Sequence, residues 1–153
     1  MVEFYDAHVS DGLGVNMRFE ETFDVRADRN RAFQYLADVR NEVKWNPWAI
    51  SVDKISEGPI GKDSRFRGKY KRVGTTEQWL SEYTNPSHVV YQAKTMNGRM
   101  VFDLEPSGAG ATVRLVAEAH PTGLMKLMVP FMTLMMRPHV RDLAAGLKRE
   151  LDR

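Results

Sequence analysis

Residues 120–153 read HPTGLMKLMVPFMTLMMRPHVRDLAAGLKRELDR. Residues 120–123 follow a series of short segments separated by turn residues. Apolar residues then recur at helical spacing as far as Arg153. Leu143, Leu147 and Leu151 continue this apolar stripe. The segment predicts one long amphipathic helix, whose apolar face must be buried against another layer of the protein.

The first half of this helix is rich in methionine. Of the 9 methionines in the chain, five lie within residues 125–136. Methionine is unbranched and polarizable, so a face built from it can repack around apolar partners of different shapes. The face is therefore either an adjustable pocket wall or the face of an ordinary core helix. Its residues are Leu124, Leu127, Met128, Phe131, Met132, Leu134 and Met135.

Pro130 is expected to kink this helix. A proline in a helix interior removes one hydrogen bond, clashes with the preceding turn and costs about 3 kcal/mol. The kink would either leave room beneath Met128, Phe131 and Met132 or merely follow the curvature of a sheet.

The chain before residue 120 has the pattern of strands. Residues 15–25 alternate apolar and polar side chains, as in a half-buried strand. Asp28 then offers an N-cap for a short helix, and a second short helix or turn runs to about Trp45. Segments rich in β-branched or aromatic residues, joined by short turns that favour antiparallel pairing, predict six more strands. They lie at residues 50–55, 64–72, 75–83, 89–95, 99–105 and 111–119.

This order of elements predicts an α+β fold. A curved seven-stranded antiparallel sheet would wrap around the long C-terminal helix, with two short helices between the first two strands. The length of 153 residues fits a single domain, which is expected to span residues 15–153. Residues 1–14 are expected to form an N-terminal arm, or a strand that pairs elsewhere.

Composition excludes several classes of protein. Lys and Arg total 22 against 20 for Asp and Glu, and these charges are scattered, so no basic face predicts a nucleic-acid partner. The absence of cysteine excludes thiolate catalysis and disulfides and fits a reducing compartment. Residues 1–12 hold no apolar signal-peptide core, and residues 124–136 are shorter than the roughly 20 residues of a membrane span. We expect a soluble cytoplasmic protein.

Local sequence marks accompany this element order. They are residues 23–28 (FDVRAD), 45–48 (WNPW) and 81–86 (SEYTNP), and the Leu- and Met-rich last helix. From about residue 17 to residue 153 the chain resembles the START/birch-pollen-allergen (SRPBCC) superfamily and, within it, the bacterial polyketide cyclase/dehydrase branch. The resemblance implies the helix-grip fold, with a cavity between the sheet and the last helix that holds an apolar or amphipathic small molecule. It favours pocket lining over plain core for the methionine-rich face.

The strand at residues 64–72 indicates which side chains face this cavity. Phe66, Gly68 and Tyr70 alternate with basic residues and are expected to point inward, and the glycine between two aromatics should leave space. The inward face of residues 75–83 stays open, because both faces of that strand carry charge.

Aromatic residues elsewhere complete the predicted lining. Tyr91 and Phe102 are expected as inward neighbours, whereas Trp48 is either a stacking surface at the pocket mouth or a wedge that holds the short helix on the sheet. The predicted ligand-binding residues are Phe19, Trp48, Phe66, Tyr70, Tyr91, Phe102, Leu124, Met128, Phe131, Met132 and Met135.

Three polar residues are candidates for catalysis. Glu21 alternates with Phe19 and Phe23, which predicts a desolvated carboxyl able to act as a general acid or base, or else one that is paired with a neighbouring arginine or lies at the open end of the sheet. His120, just before the long helix, is a candidate proton donor or a capping group. Tyr70 is the third candidate.

Neither a metal nor a cofactor is expected. His8, His88 and His139 are scattered without the spacing of a zinc site. The chain also has no GxSxG motif and no phosphate-binding glycine loop.

Three functions remain open. The first is a module that binds an apolar metabolite, lipid or aromatic polyketide. The second, which the resemblance permits, is a polyketide cyclase, aromatase or dehydratase that folds a reactive chain in a shaped cavity. The third is a protein-interaction role, such as a toxin–antitoxin component, which would need an exposed apolar patch. Membrane docking through the methionine-rich segment is a further alternative that predicts binding to anionic vesicles. Oligomeric state is left open.

Overall fold

The computed structural model describes residues 3–4 and 17–153. Its strands form one antiparallel sheet in the order β1-β2-β8-β7-β6-β5-β4-β3. They are β1 (Glu3–Phe4), β2 (Met17–Val25), β3 (Ala49–Lys54), β4 (Arg65–Tyr70), β5 (Gly74–Thr84), β6 (His88–Ala93), β7 (Arg99–Ser107) and β8 (Gly110–Ala119). The seven longer strands are those that the sequence predicts, and the curved sheet is confirmed.

Three α-helices cover the inner face of this sheet, the face that carries the core. They are α1 (Arg29–Ala37), α2 (Glu42–Trp45) and α3 (Val129–Leu151), and 3-10 turns lie at Val39–Asn41, Thr95–Asn97 and Gly123–Met128. Helices α1 and α2 follow β2, so the predicted α+β helix-grip arrangement is confirmed.

Helix α1 begins where its sequence predicts. The side chain of Asp28 accepts a hydrogen bond from the backbone N–H of Arg31 at 3.0 Å, which caps the first turn. Ala32, Phe33 and Leu36 are fully buried and place the helix against β6, β7 and β8.

The C-terminal half of α3 is firmly anchored. Val140, Leu143, Leu147 and Leu151 are buried, and the helix packs on β2 and α2. The contact with α2 is so close that a Cβ at Gly146 would overlap the carbonyl oxygen of Trp45. This end of the helix therefore has a fixed position on the sheet.

The expected kink at Pro130 is wrong. The methionine-rich segment starts as a 3-10 turn, and α3 begins only at Val129, so Pro130 lies in its first turn, where a missing N–H is tolerated. The proline inside the helix is Pro138. Within the described residues, no helix is long and apolar enough to cross a membrane.

Little of the predicted N-terminal arm is described. Glu3 and Phe4 pair with Thr22 and Glu21 as an edge strand. The rest of residues 1–14, and the start of the strand predicted at residue 15, lie outside the described residues.

Candidate ligand-binding site

A buried cluster of polar side chains lies between α2 and the inner face of the sheet. The hydroxyl of Tyr70 donates to Oε2 of Glu42 at 2.5 Å, and the amide of Asn46 donates to Oε1 at 2.7 Å. The amide of Gln78 donates to Oε2 of Glu42 at 3.2 Å and to the Tyr70 hydroxyl at 2.6 Å. Glu42, Asn46, Tyr70 and Gln78 form the polar cluster, and each is less than a tenth exposed.

Helical spacing explains how a glutamate enters the core. Val39, Glu42 and Trp45 recur every three residues across the turn and α2, and all three are buried, whereas Val43 is 42% exposed. Asn46 then ends the helix, and its side-chain oxygen accepts from the backbone N–H of Trp48 at 2.9 Å. The same side chain thus fixes the corner after α2 and holds the carboxyl.

Strands β4 and β5 supply the other half of the cluster. The predicted alternation in β4 is confirmed, with Phe66, Gly68 and Tyr70 buried. The space at Gly68 is taken by the ring of Tyr70, which a Cβ there would overlap. On β5, Gln78 points inward opposite Phe66, whereas Trp79 is on the outer side with Arg65 over its ring at 5.7 Å.

Burial controls the protonation of the cluster. Desolvation raises the pKa of Glu42, and the hydrogen bonds from Tyr70, Asn46 and Gln78 oppose it. Burial and the neighbouring Glu42 also raise the pKa of Tyr70. A carboxyl with a raised pKa holds its proton to higher pH than an exposed glutamate and can act as a general acid.

The aromatic residues predicted to bind a ligand lie on the inner face. Tyr91 and Phe102 are neighbours, with ring centroids 5.2 Å apart, and Phe102 also meets Trp45 edge-on at 6.2 Å. The Tyr91 hydroxyl donates to the carbonyl of Leu36. All the predicted aromatics of the sheet are buried, namely Phe19, Phe66, Tyr70, Tyr91 and Phe102.

Two predicted catalytic residues lie apart from the polar cluster. Glu21 is buried, as its alternation predicts, and desolvation raises its pKa while the charge of Arg141 lowers it. It stands on β2, with four strands between it and Tyr70 on β4. His120 is half-buried after β8, where its backbone N–H donates to the carbonyl of Met96 at 2.9 Å. The predicted catalytic residues are thus not brought together in one contact network.

Trp48 joins the sheet edge to α3. Its ring stacks on His139 with 3.6 Å between centroids and 12° between planes. Arg72 lies over the same ring at 5.5 Å, and its guanidinium contacts the sulfur of Met135 at 3.3 Å. Trp48 therefore lies next to the methionine-rich half of the helix. It was predicted to be either a stacking surface at the pocket mouth or a wedge that holds the short helix on the sheet.

The methionine-rich segment has two different faces. Met132 and Met136 are partly buried and pack against the core, and Met135 is half-buried. Other predicted lining residues point away, with exposed fractions of 83% for Leu124, 50% for Met128 and 61% for Phe131.

Glu42, Asn46 and Gln78 were not predicted from the sequence. The first two could have been found from the spacing of Val39, Glu42, Trp45 and Asn46, which places them on one helical face. Gln78 carried no such signal, because both faces of its strand are polar.

A cleft of about 360 Å³ opens on the far side of the cluster, between α2 and α3. Asn46 lines it together with Trp45, Gly146 and Arg149, so this residue lies between the cleft and the buried carboxyl. Among the described residues, no three histidine or acidic side chains are grouped to hold a metal ion.

The fold is shared with solved structures of low sequence identity. A START superfamily protein from Mycobacterium smegmatis matches with a TM-score of 0.71 at 13% identity, covering 88% of this chain and 96% of that chain. A protein from Thermus thermophilus matches with a TM-score of 0.68 at 12% identity and the same coverage. The di-domain ARO/CYC protein BexL from the BE-7585A biosynthetic pathway matches with a TM-score of 0.68 at 20% identity, covering 86% of this chain and 45% of BexL.

Comparison with curated proteins gives no match. The family model described as polyketide cyclase / dehydrase and lipid transport matches residues 16–152. The chain therefore belongs to the polyketide cyclase/dehydrase and lipid transport family.

Proposed function

We propose that the protein binds an amphipathic small molecule between the inner face of the sheet and the methionine-rich half of α3. The apolar body of the ligand would lie against Met132 and the buried aromatics, and a hydroxyl group of the ligand would meet the polar cluster. Membership of the family and the fold support a hydrophobic ligand.

One observation carries the polar part of this proposal. The side-chain amide N–H groups of Gln78 donate to Glu42 and to the Tyr70 hydroxyl, which leaves the side-chain oxygen of Gln78 as the group of the cluster that can accept from a ligand. A ligand hydroxyl that donates to this oxygen would add one hydrogen bond and fix the orientation of the ligand.

The position of the polar cluster supports a ligand that contacts both the cluster and the methionine-rich half of α3. The backbone N–H of Trp48 donates to Asn46, and the ring of Trp48 stacks on His139 of α3. Arg72, two residues after Tyr70, contacts Met135. The chain segments that bear the cluster therefore contact the helix at its methionine-rich half, where the side chains can repack around a guest.

A matched pair of ligands tests the proposal. Displacement of a fluorescent apolar dye by 2-naphthol and by 2-methoxynaphthalene compares two similar bodies that differ in one hydroxyl donor. We expect the naphthol to bind about fivefold more tightly, the equivalent of one hydrogen bond of about 1 kcal/mol. Gln78→Leu should bind both equally.

Two further variants locate the apolar part. Met132→Glu places a charge against the core and should abolish binding of both molecules, whereas Leu134→Gln, a change at a side chain that is 75% exposed, should bind both normally. Wild-type protein that releases the dye to neither molecule would refute the proposal.

Catalysis is the second candidate, and the raised pKa of Glu42 beside the Tyr70 hydroxyl favours it. A proton held by this pair would serve the cyclase or dehydratase chemistry for which part of the family is named. With a substrate in hand, Glu42→Gln and Tyr70→Phe should retain binding and lose turnover by about a hundredfold or more. Unchanged turnover in both variants would exclude this role.

A further inference from the structure

An exposed apolar stripe runs along the methionine-rich segment. Leu124, Leu127, Phe131 and Leu134 follow one another at helical spacing, and each is 61% exposed or more. The opposite side of the same segment carries Val129 and the partly buried Met132 and Met136. Large apolar side chains in a continuous exposed row mark an interaction surface.

Along the chain, the charged residues within this segment and directly after it are basic. Residues 120–141 contain Lys126, Arg137 and Arg141 and no acidic residue. Lys71 and Arg72 join them, because Arg72 contacts Met135 on the same half of α3.

Four of these cations, Lys71, Arg72, Lys126 and Arg137, form no ion pair with the acidic residues that the structure describes. An apolar row with uncompensated cations on its flanks is complementary to an anionic membrane surface, whose headgroups take the cations while the acyl chains take the apolar side chains.

We propose that residues 123–134 lie in the surface of an anionic lipid bilayer, with Leu124, Leu127, Phe131 and Leu134 inserted and with Lys126, Arg137, Lys71 and Arg72 on the headgroups. The segment is too short to span a bilayer, so it lies along the interface. This surface is adjacent to the proposed ligand site but does not depend on it, since vesicle binding needs no cargo.

Vesicle co-sedimentation of the full-length protein tests this docking. We expect binding to phosphatidylcholine vesicles that contain 30% phosphatidylglycerol, weak binding to pure phosphatidylcholine, and release as salt is raised. Leu127→Gln with Leu134→Gln should abolish binding. The matched control, Val43→Gln with Ile55→Gln, changes two exposed apolar residues outside the segment and should bind as wild type.

A charge series provides a second test. Lys126→Gln and Arg137→Gln should each weaken binding to the anionic vesicles about fivefold, whereas Lys62→Gln, at the opposite end of β4 from Arg72, should have no effect. The proposal would be overturned if the wild-type protein bound no vesicles. It would also be overturned if the two control variants lost as much vesicle binding as the test variants. A wild-type dimer that the two leucine changes dissociate, with no vesicle binding, would assign the stripe to a second copy of the chain instead. Failure of dye binding with intact vesicle binding would affect only the proposed ligand site.

Discussion

At the scale of single residues, the central feature is a carboxyl that the sheet and α2 enclose completely. Glu42 is 3% exposed and accepts hydrogen bonds from three side chains. Burial favours the neutral acid and raises the pKa of Glu42, although the three hydrogen bonds favour the carboxylate and oppose this shift. The stability of the fold should therefore depend on pH through this residue.

Glu42→Gln tests this dependence. Because burial raises the pKa of Glu42 above its ordinary value of 4.5, the folded state binds the proton more tightly, and stability falls as pH rises from about 4.5 through the folded-state pKa. The glutamine variant lacks this loss, so it should gain on the wild type by up to about 1.4 kcal/mol per pH unit in that window. Urea unfolding of both proteins between pH 4.5 and 7.5 measures the difference. A constant difference, like that expected for the exposed Glu105→Gln, would contradict the account.

The polar cluster also shows why part of the site could not be predicted from sequence. Tyr70 was placed correctly, because alternation in β4 is unambiguous. Glu42 is a charged residue in a short helix, and its burial depends on partners 28 and 36 residues away. Only the spacing from Val39 indicated an inward position, and a short helical pattern of this kind is easily overridden by tertiary contacts.

At the scale of elements, the close contact between α2 and α3 fixes the helix on the sheet. Gly146→Ala should destabilise the protein by about 1–3 kcal/mol, because the new Cβ would overlap the Trp45 carbonyl and force the two helices apart. This loss would exceed the gain of about 1 kcal/mol from the better helix propensity of alanine. Thermal unfolding measures it, with Gly61→Ala as the control, since a Cβ there meets nothing within 4 Å. An unchanged or raised Tm for Gly146→Ala would be inconsistent with this packing.

The outer face of the sheet carries a closed ring of ion pairs. Charged side chains on neighbouring strands contact one another in sequence around it. In order, they are Arg18, Glu20, Arg114, Asp103, His88, Glu82, Arg99 and Glu118. His88 is the member whose charge changes near neutral pH.

His88 should therefore stabilise the protein most in mild acid. Burial lowers its pKa, but the hydrogen bonds to Asp103 and Glu82 outweigh this and raise it above 6.5. Its contribution is complete below pH 6.5 and is lost as pH rises through the folded-state pKa. His88→Gln should cost up to about 1 kcal/mol at pH 5.5 and less at pH 8.5, because the ring is partly exposed. Denaturant unfolding at the two pH values measures this, and an equal cost at both would refute it.

His139 provides an internal control, because its pKa is shifted in the opposite direction from that of His88. Burial lowers its pKa to about 4, because it is enclosed against Trp48. In one NMR titration, His88 should change charge above pH 6.5 and His139 only near pH 4. Titration of both at the ordinary value would show that neither environment acts as described.

Element boundaries show which parts of the fold were predictable. The strands were found because alternation and turn residues are local signals. Pro130 was placed wrongly, because the apolar pattern does not distinguish a 3-10 turn at residues 123–128 from the first turns of an α-helix. The methionine pattern likewise could not reveal that one face of this segment packs on the core while Leu124 and Phe131 are exposed.

At the scale of the whole molecule, the two halves of α3 are packed differently. The C-terminal half is anchored by Leu143, Leu147 and Leu151 on β2 and α2. The first half contacts the core through Met132 and Met136 and leaves an apolar row outside. The proposed ligand would lie beneath the first half, so that the anchored C-terminal half keeps the fold intact while the methionine side chains repack.

The central proposal is that the protein binds an amphipathic molecule between the inner face of the sheet and the first half of α3. Native mass spectrometry of protein purified from its own host, followed by extraction and identification of what is bound, tests it most directly. The account predicts an apolar molecule with a hydroxyl group at a stoichiometry of about one per chain. A protein mass without any bound molecule, alone or with a co-purified protein partner, would contradict it.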